Sequence, residues 1–203
     1  MNTGIEKKDI RLLDLPALQD ILTGMGEPKF RAKQIHEWLW KKGANSFEQM
    51  TNLPKKLREN LVNHFSINTI TIDKVQKSLD GTIKSRFRLH DGYMIESVLI
   101  PVPVDRRYTV CVSSQVGCSL TCKFCATGQM KRHRNLDAGE IYDQVVAVNQ
   151  QSLETFDHPL TNIVYMGMGE PLLAYRNVME SIDLITSPEG LNMSPKRITV
   201  STA

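Results

Sequence analysis

The sequence predicts an α/β protein in three parts: a small helical domain over 1–68, an antiparallel β meander with a linker over 69–103, and a βα repeat over 104–203. Three observations carry this expectation. Apolar residues recur at helical spacing through about residue 65. Near residue 70 the period shortens to that of strands, and Asp-Gly pairs divide the runs. From Tyr108 onward, strand-like and helix-like segments alternate, which implies a parallel sheet.

The first helix is predicted over 12–24, with Leu12, Leu15, Leu18, Ile21 and Leu22 on one face. Asp14 offers an N-cap, Pro16 suits the first turn, and Gly24 and Gly26 end the helix. A second helix over 28–42 places Phe30, Ile35, Trp38 and Leu39 together and stops at Gly43. Of Trp38 and Trp40, one is expected in the core and one half-exposed. A third helix over 54–64 starts at Pro54 and buries Leu57, Leu61 and Phe65.

Strands follow over 70–78, 82–89 and 93–100, separated by Asp80-Gly81 and Asp91-Gly92. Asp-Gly between such runs marks tight hairpins, because the turn needs positive φ. Lys84, Arg86 and Arg88 alternate along the middle strand and share a face, open either to solvent or to phosphate. Glu96, in the last strand, reads in isolation as an edge-strand surface carboxylate. Pro101 and Pro103 are expected to end the meander as a linker.

The βα repeat opens with a strand over 108–112 and continues with a helix over 136–152. A strand over 162–167 is apolar enough to be buried on both faces, a helix runs over 175–186, and a strand over 197–201 follows. Cys111, taken alone, reads as a buried core residue.

The most improbable stretch is Gly117-Cys118-Ser119-Leu120-Thr121-Cys122-Lys123-Phe124-Cys125, which holds three of the four cysteines as C-x3-C-x2-C. Three thiolates this close can converge on one inorganic centre. Soft sulfur ligands favour an iron–sulfur cluster or zinc, and three reduced thiols with no metal are the remaining reading. Zinc requires a fourth ligand, for which His133 is the nearby histidine. A four-iron cluster on three cysteines keeps one iron open for another ligand.

Composition narrows the classes. The chain of 203 residues is 41% hydrophobic and 23% charged, as expected of a globular protein. No run of about 18 apolar residues suggests a membrane span, and Met1 to Lys8 lacks the apolar core of a signal peptide. Clustered cysteines do not resemble a secreted disulfide framework, so a cytoplasmic location is expected. The net charge of +3 is uneven, being +9 through residue 135 and −6 beyond it. A basic N-terminal part beside a reactive centre suits a polyanion such as RNA.

Several motifs, in order, resemble a known family. They are Cys111-Val112-Ser113-Ser114-Gln115-Val116-Gly117-Cys118, then Cys122-Lys123-Phe124-Cys125-Ala126-Thr127-Gly128, then 162–166 leading into Gly167-Met168-Gly169-Glu170-Pro171. In the helical part Phe30-Arg31-Ala32-Lys33-Gln34-Ile35, Trp38-Leu39 and Met50-Thr51-Asn52-Leu53-Pro54 agree. The pattern resembles the RlmN family of radical S-adenosylmethionine (SAM) enzymes, which methylate carbon 2 of an adenine in large-subunit ribosomal RNA and, in some members, in tRNA. The related Cfr-type enzymes, which methylate carbon 8, share the same cysteine chemistry. A non-catalytic RNA-binding module with a structural metal is a further alternative.

The resemblance implies a fold and roles. The fold is a partial (truncated) radical SAM βα barrel preceded by the small helical, RNA-binding domain and the antiparallel meander. Cys118, Cys122 and Cys125 would ligate a [4Fe–4S] cluster whose open iron takes the methionine end of SAM. Gly169, Glu170 and Ser201 would bind SAM, with Glu170 reaching its ammonium group. Glu96 would accept a proton. Cys111 would resolve a protein–RNA adduct through a transient disulfide with a methyl-carrying cysteine. An electron donor such as flavodoxin and a monomeric full-length enzyme are expected. The sequence ends at Ala203 and no cysteine follows Cys125. The chain is therefore expected to be the N-terminal portion of such an enzyme and to be inactive alone.

Overall fold

A computed structural model describes residues 7–203. The chain divides into two compact units. One comprises the described residues up to Asn68 together with Pro188–Leu191, and the other comprises Thr69–Ser187 with Asn192–Ala203.

The first unit is built on helices Leu15–Gly24 (α1), Phe30–Trp40 (α2) and Lys55–His64 (α3). A short parallel pair, Lys8–Asp9 (β1) and Phe65–Ser66 (β2), joins its two ends. Asp14 caps α1 by accepting a hydrogen bond from the Ala17 amide at 2.8 Å. Leu18, Leu22, Ala32, Ile35, Leu39, Trp40, Leu57 and Leu61 form the core. The buried face of α2 is therefore rotated from the expected one. Trp40 is the core tryptophan, Phe30 is exposed, and Trp38 is half-buried. The Trp38 indole donates to Asn52 Oδ1 at 2.6 Å, and the Lys42 ammonium lies 4.1 Å from the Trp38 ring centroid. A polar indole edge and a cation–π contact both favour a wet boundary position.

The second unit contains one six-stranded mixed sheet. Its strands are Thr71–Lys77 (β3), Ile83–Arg88 (β4), Met94–Val102 (β5), Arg107–Cys111 (β6), Asn162–Tyr165 (β9) and Ile198–Val200 (β10). Between β6 and β9 lies a small antiparallel ladder of Gln115–Val116 (β7) with Arg134–Asn135 (β8). The sheet order is β10-β9-β6-β5-β4-β3. β10, β9 and β6 are parallel; β6, β5, β4 and β3 are antiparallel in succession. The Asp-Gly hairpins form as expected, with Gly81 and Gly92 at φ of 87° and 85°.

Pro101 and Pro103 were expected to form a linker, but β5 runs through Pro101 to Val102 and pairs with β6. The meander over 69–103 and the βα repeat over 104–203 therefore share one sheet. Proline is tolerated there because β4 pairs with β5 only as far as Leu99, so the position lacking an N–H has a strand on one side only.

Helices Ala138–Phe156 (α4) and Tyr175–Thr186 (α5) follow β6 and β9 and pack on one face of the sheet. A capping box sets the start of α4: the Asp137 amide donates to Glu140 Oε2 at 2.9 Å. Ile83, Phe87, Ile95, Leu99, Val110, Ile163 and Tyr165 are buried on the helix-covered side, along with Ile141, Val145, Val148, Val178 and Ile185 from the helices. The strand β9 was expected to be buried on both faces. Ile163 and Tyr165 are buried, whereas Val164 is half-buried and Met166 exposed. One face of the sheet is covered and the other is open. Among the described residues, no helix is long and apolar enough to cross a membrane.

Candidate functional site at the open face of the sheet

The period of two along each strand assigns the site residues to the open face. On β5, Ile95 and Ser97 point into the core, so Glu96 and Val98 face the other way. Val98 pairs with Cys111, and Cys111 pairs with Val164 across β9. Glu96 and Cys111 are thus diagonal neighbours on one face, a relationship that separates α-carbons by about 7–8 Å. Ile198 pairs with Ile163, which puts the Thr199–Ser201 phase on the same open side. The expected residues Glu96, Cys111, Gly169, Glu170 and Ser201 all gather where the parallel strands end.

Glu96 is half-exposed, and its carboxylate lies 3.2 Å from the Lys84 ammonium. Its backbone carbonyl accepts a 2.6 Å hydrogen bond from the Ser113 hydroxyl. Cys111 is half-buried, where the sequence alone suggested full burial. Burial pushes its thiol pKa up, opposed by a backbone hydrogen bond from Met166.

Glu170 sits in the loop after β9, is buried, and caps the following 3₁₀ turn, accepting from the Leu172 amide at 3.0 Å. Its second oxygen accepts from the Ala203 amide at 3.1 Å. Burial acts to raise its pKa, but hydrogen bonds from Thr202, Leu172 and Ala203 outweigh it and hold the carboxyl below the usual range. Glu170 is therefore ionised and tied to the segment that contains Ser201. Ser201 itself is exposed.

Cys118, Cys122 and Cys125 lie in the loop between β7 and β8, all half-buried with free thiols. The β7–β8 ladder closes the neck of this loop, and the His133 amide donates to the Val116 carbonyl at 2.9 Å. The donor set is chemically suited to an iron–sulfur cluster: three soft thiols within eight residues and none in a disulfide. Among the described residues, no three His, Cys, Asp or Glu side chains already stand together as a metal-holding group. The His133 ring packs on Tyr93 at 4.5 Å between centroids. Phe124 projects almost fully into solvent, and Lys123, Lys131 and Arg132 are exposed around the loop.

A buried polar frame that sequence reasoning missed holds these loops. Gln144, on α4, accepts from the Ser97 hydroxyl at 2.7 Å and the Ser113 amide at 2.9 Å, and donates to the Ser113 carbonyl at 3.2 Å. The Ser113 hydroxyl also accepts from the Met168 amide at 2.9 Å. Gln115 accepts from the Glu170 amide at 3.1 Å and donates to Asn135 at 2.8 Å. Arg134 bridges Asp91 at 2.6 Å and Glu140 at 2.7 Å. Polar residues at Glu140, Gln144 and Ser152, spaced by whole turns on the buried side of α4 beside Ile141, Val145 and Val148, were the available signal.

Residues 9–67 match the family model described as the ribosomal RNA large subunit methyltransferase N-terminal domain. Over 202 residues the chain is 59% identical to a probable dual-specificity RNA methyltransferase RlmN of Cytophaga hutchinsonii, covering 100% of this chain and 55% of that protein. It is also 59% identical to the probable RlmN of Flavobacterium psychrophilum, covering 98% of this chain and 57% of the relative. The chain matches the N-terminal part of RlmN-family proteins. The fold agrees: a radical SAM methyltransferase from Sphaerobacter thermophilus superposes with a TM-score of 0.82 at 43% identity, covering 96% of this chain and 57% of that one. The architecture is thus part of a radical SAM methyltransferase fold, and the chain spans about half the length of the curated RlmN relatives it matches.

Proposed function

We propose that this chain provides the N-terminal part of an RlmN-family enzyme that methylates carbon 2 of an adenine in large-subunit ribosomal RNA, and in tRNA, through a methyl-cysteine intermediate. The observation that carries the reading is that Glu96 and Cys111 share the open face of the sheet, while Gly169 and Glu170 pack on Gln115, which leads into the cysteine loop, and Glu170 holds the segment after Ser201. Cys118, Cys122 and Cys125 would hold a [4Fe–4S] cluster, and Gly169, Glu170 and Ser201 would hold SAM. Bound together, these cofactors supply radical chemistry able to functionalise an unactivated carbon.

The chain's own residues take the remaining roles. Glu96, beside the Lys84 cation, accepts a proton from the adenine ring. Cys111, its diagonal neighbour, resolves the covalent protein–RNA adduct: its thiolate forms a disulfide with the methyl-carrying cysteine as that cysteine's carbon–sulfur bond breaks, and the released carbon takes a proton to become the methyl group on the base. That cysteine is not among the four present here, so the chain alone is expected to yield no methylated RNA. A low-potential donor such as flavodoxin, a cytoplasmic setting and a monomeric full-length enzyme complete the reading.

Anaerobic reconstitution with iron and sulfide tests the cofactor assignment. The chain should take up about four irons and absorb broadly at about 400 nm, and alanine at any of the three loop cysteines should abolish both. Stoichiometric zinc without colour would overturn it. Disrupting the gene should remove a methyl group from carbon 2 of an adenine in large-subunit RNA, as read by mass spectrometry of digested RNA. Loss of a carbon-8 methyl group would instead place the enzyme with the Cfr type.

A further inference from the structure

We propose that the open face of β3, β4 and β5 is a subsite for the phosphate backbone of the RNA strand whose base meets Glu96. The inference rests on the RNA-methylating reading above and locates part of its substrate.

The face contains a shallow depression of about 170 Å³ lined by Lys74, Gln76, Lys84, Arg86 and Glu96. The register puts these side chains together, since Lys74 pairs with Arg86, Gln76 with Lys84, and Arg86 with Glu96. Every lining side chain is polar or charged, which suits a phosphodiester and not an apolar partner. Arg88, next in phase along β4, adds a fourth cation to the same face.

Internal ion pairs leave this surface positive. Lys84 pairs with Glu96 at 3.2 Å. Arg86 and Arg88 both converge on Asp73, at 2.7 and 2.9 Å. Four cations thus share two carboxylates, so two positive charges stay uncompensated. One of them is Lys74, which is exposed and, among the described residues, has neither an ion pair nor a hydrogen bond. Two guanidinium groups drawn together by one aspartate still offer outward N–H donors for a bidentate phosphate contact. The depression also reaches the carboxylate to which the reaction assigns a proton. Phosphates held at Lys74 and Arg86 would therefore set how far along the face the target base lies.

Lys77 provides an internal control. It lies on the same strand as Lys74 and is also exposed, but it pairs with Ile83 and so belongs to the opposite face. Lys74→Gln, Lys74→Glu and Lys77→Gln each remove a surface cation without breaking an ion pair or side-chain hydrogen bond among the described residues.

The test is fluorescence anisotropy of the intact 203-residue chain with a labelled RNA hairpin carrying an adenine in its loop, across a salt series. Lys74→Gln should weaken binding several-fold and reduce the slope of log affinity against log salt by about 0.7–0.9. Lys74→Glu should weaken binding further, and Lys77→Gln should match the parent. Equal effects of Lys74→Gln and Lys77→Gln would overturn the subsite, as would no effect at Lys74, no RNA binding by the parent, or self-association through this face in its place. The cofactor assignment is separately readable: a chain that takes up iron but is indifferent at Lys74 loses this subsite and keeps the catalytic reading.

Discussion

A Cβ placed on Gly169 would fall 2.6 Å from both Cβ and Cγ of Gln115, and the backbone at Gly169 has φ of +101°. The loop after β9 therefore closes directly on the strand that leads into the cysteine loop. Gln115 is fully buried and holds the next residue, Glu170, through its amide. Glycine is required here on two counts, close approach and positive φ. Gly169→Ala should destabilise the second unit by about 2–3 kcal/mol, combining backbone strain with overpacking. Urea unfolding followed by far-UV circular dichroism measures this, and an unchanged midpoint would mean that the loop can leave Gln115 without cost.

Gln144 is the second fastening point. Leucine at this position keeps the volume but strands the Ser113 amide and the Ser97 hydroxyl, both in the buried layer between α4 and the sheet. Leaving a buried polar group unsatisfied costs about 1–3 kcal/mol each. Gln144→Leu should therefore lower stability by about 2–4 kcal/mol and accelerate hydrogen exchange locally, at residues 112–116 and 167–170. Exchange that rises evenly over the whole second unit would show that Gln144 supports global packing rather than these two loops.

What could be read from sequence follows from how local each signal is. Asp80-Gly81 and Asp91-Gly92 determine their hairpins within a few residues, so all three meander strands were legible. The period of α4 and α5 was equally local. The buried face of α2 was not, because Phe30-Arg31-Ala32 and Trp38-Leu39-Trp40 allow two apolar stripes and tertiary contacts choose between them. Pro101 looked like a breaker because its one-sided pairing depends on where β4 stops, which is a property of the sheet. The open face of β9 was hidden for a similar reason. Apolar residues line it as they would a core, yet no helix among the described residues covers it. The roles of Gln115 and Gln144 are visible only once their partners from distant segments are in place.

Acid should reveal the anchor beneath the cysteine loop. Burial acts to raise the Asp91 carboxyl, but the hydrogen bond and charge of Arg134 outweigh it, so its folded pKa lies below the ordinary 3.8. A depressed carboxylate contributes stability that is fully present above the unfolded value and is lost as pH falls through the folded one. The stability difference between the parent and Asp91→Asn should therefore stay constant from pH 7 to about 5 and shrink below about pH 4. Chemical denaturation at a series of pH values would show it. A difference that persists undiminished to pH 2 would assign the effect to packing and not to ionisation.

Cys111 makes the opposite kind of prediction. Burial raises its thiol above the ordinary 9.0, with the Met166 backbone hydrogen bond opposing only in part. At pH 7 the thiolate is then under about 1% of the population, and thiolate is the species that attacks both alkylating reagents and disulfides. Iodoacetamide should modify Cys111 more slowly than a free cysteine at pH 7.5, and the rate should still be rising at pH 9.5. Peptide mapping over time reads this site separately from Cys118, Cys122 and Cys125. A rate that levels off by pH 8 would place the thiol in the ordinary range or below. A protonated thiol also bears on the proposed resolution of the adduct: Cys111 must lose its proton before it can attack the sulfur of the adduct, so that step should be slow at neutral pH until a base is presented. Glu96 is the diagonal neighbour on the same face, and Glu96→Gln should leave the alkylation profile of Cys111 unchanged if its role lies with the RNA base, but shift it if the carboxylate acts on the thiol.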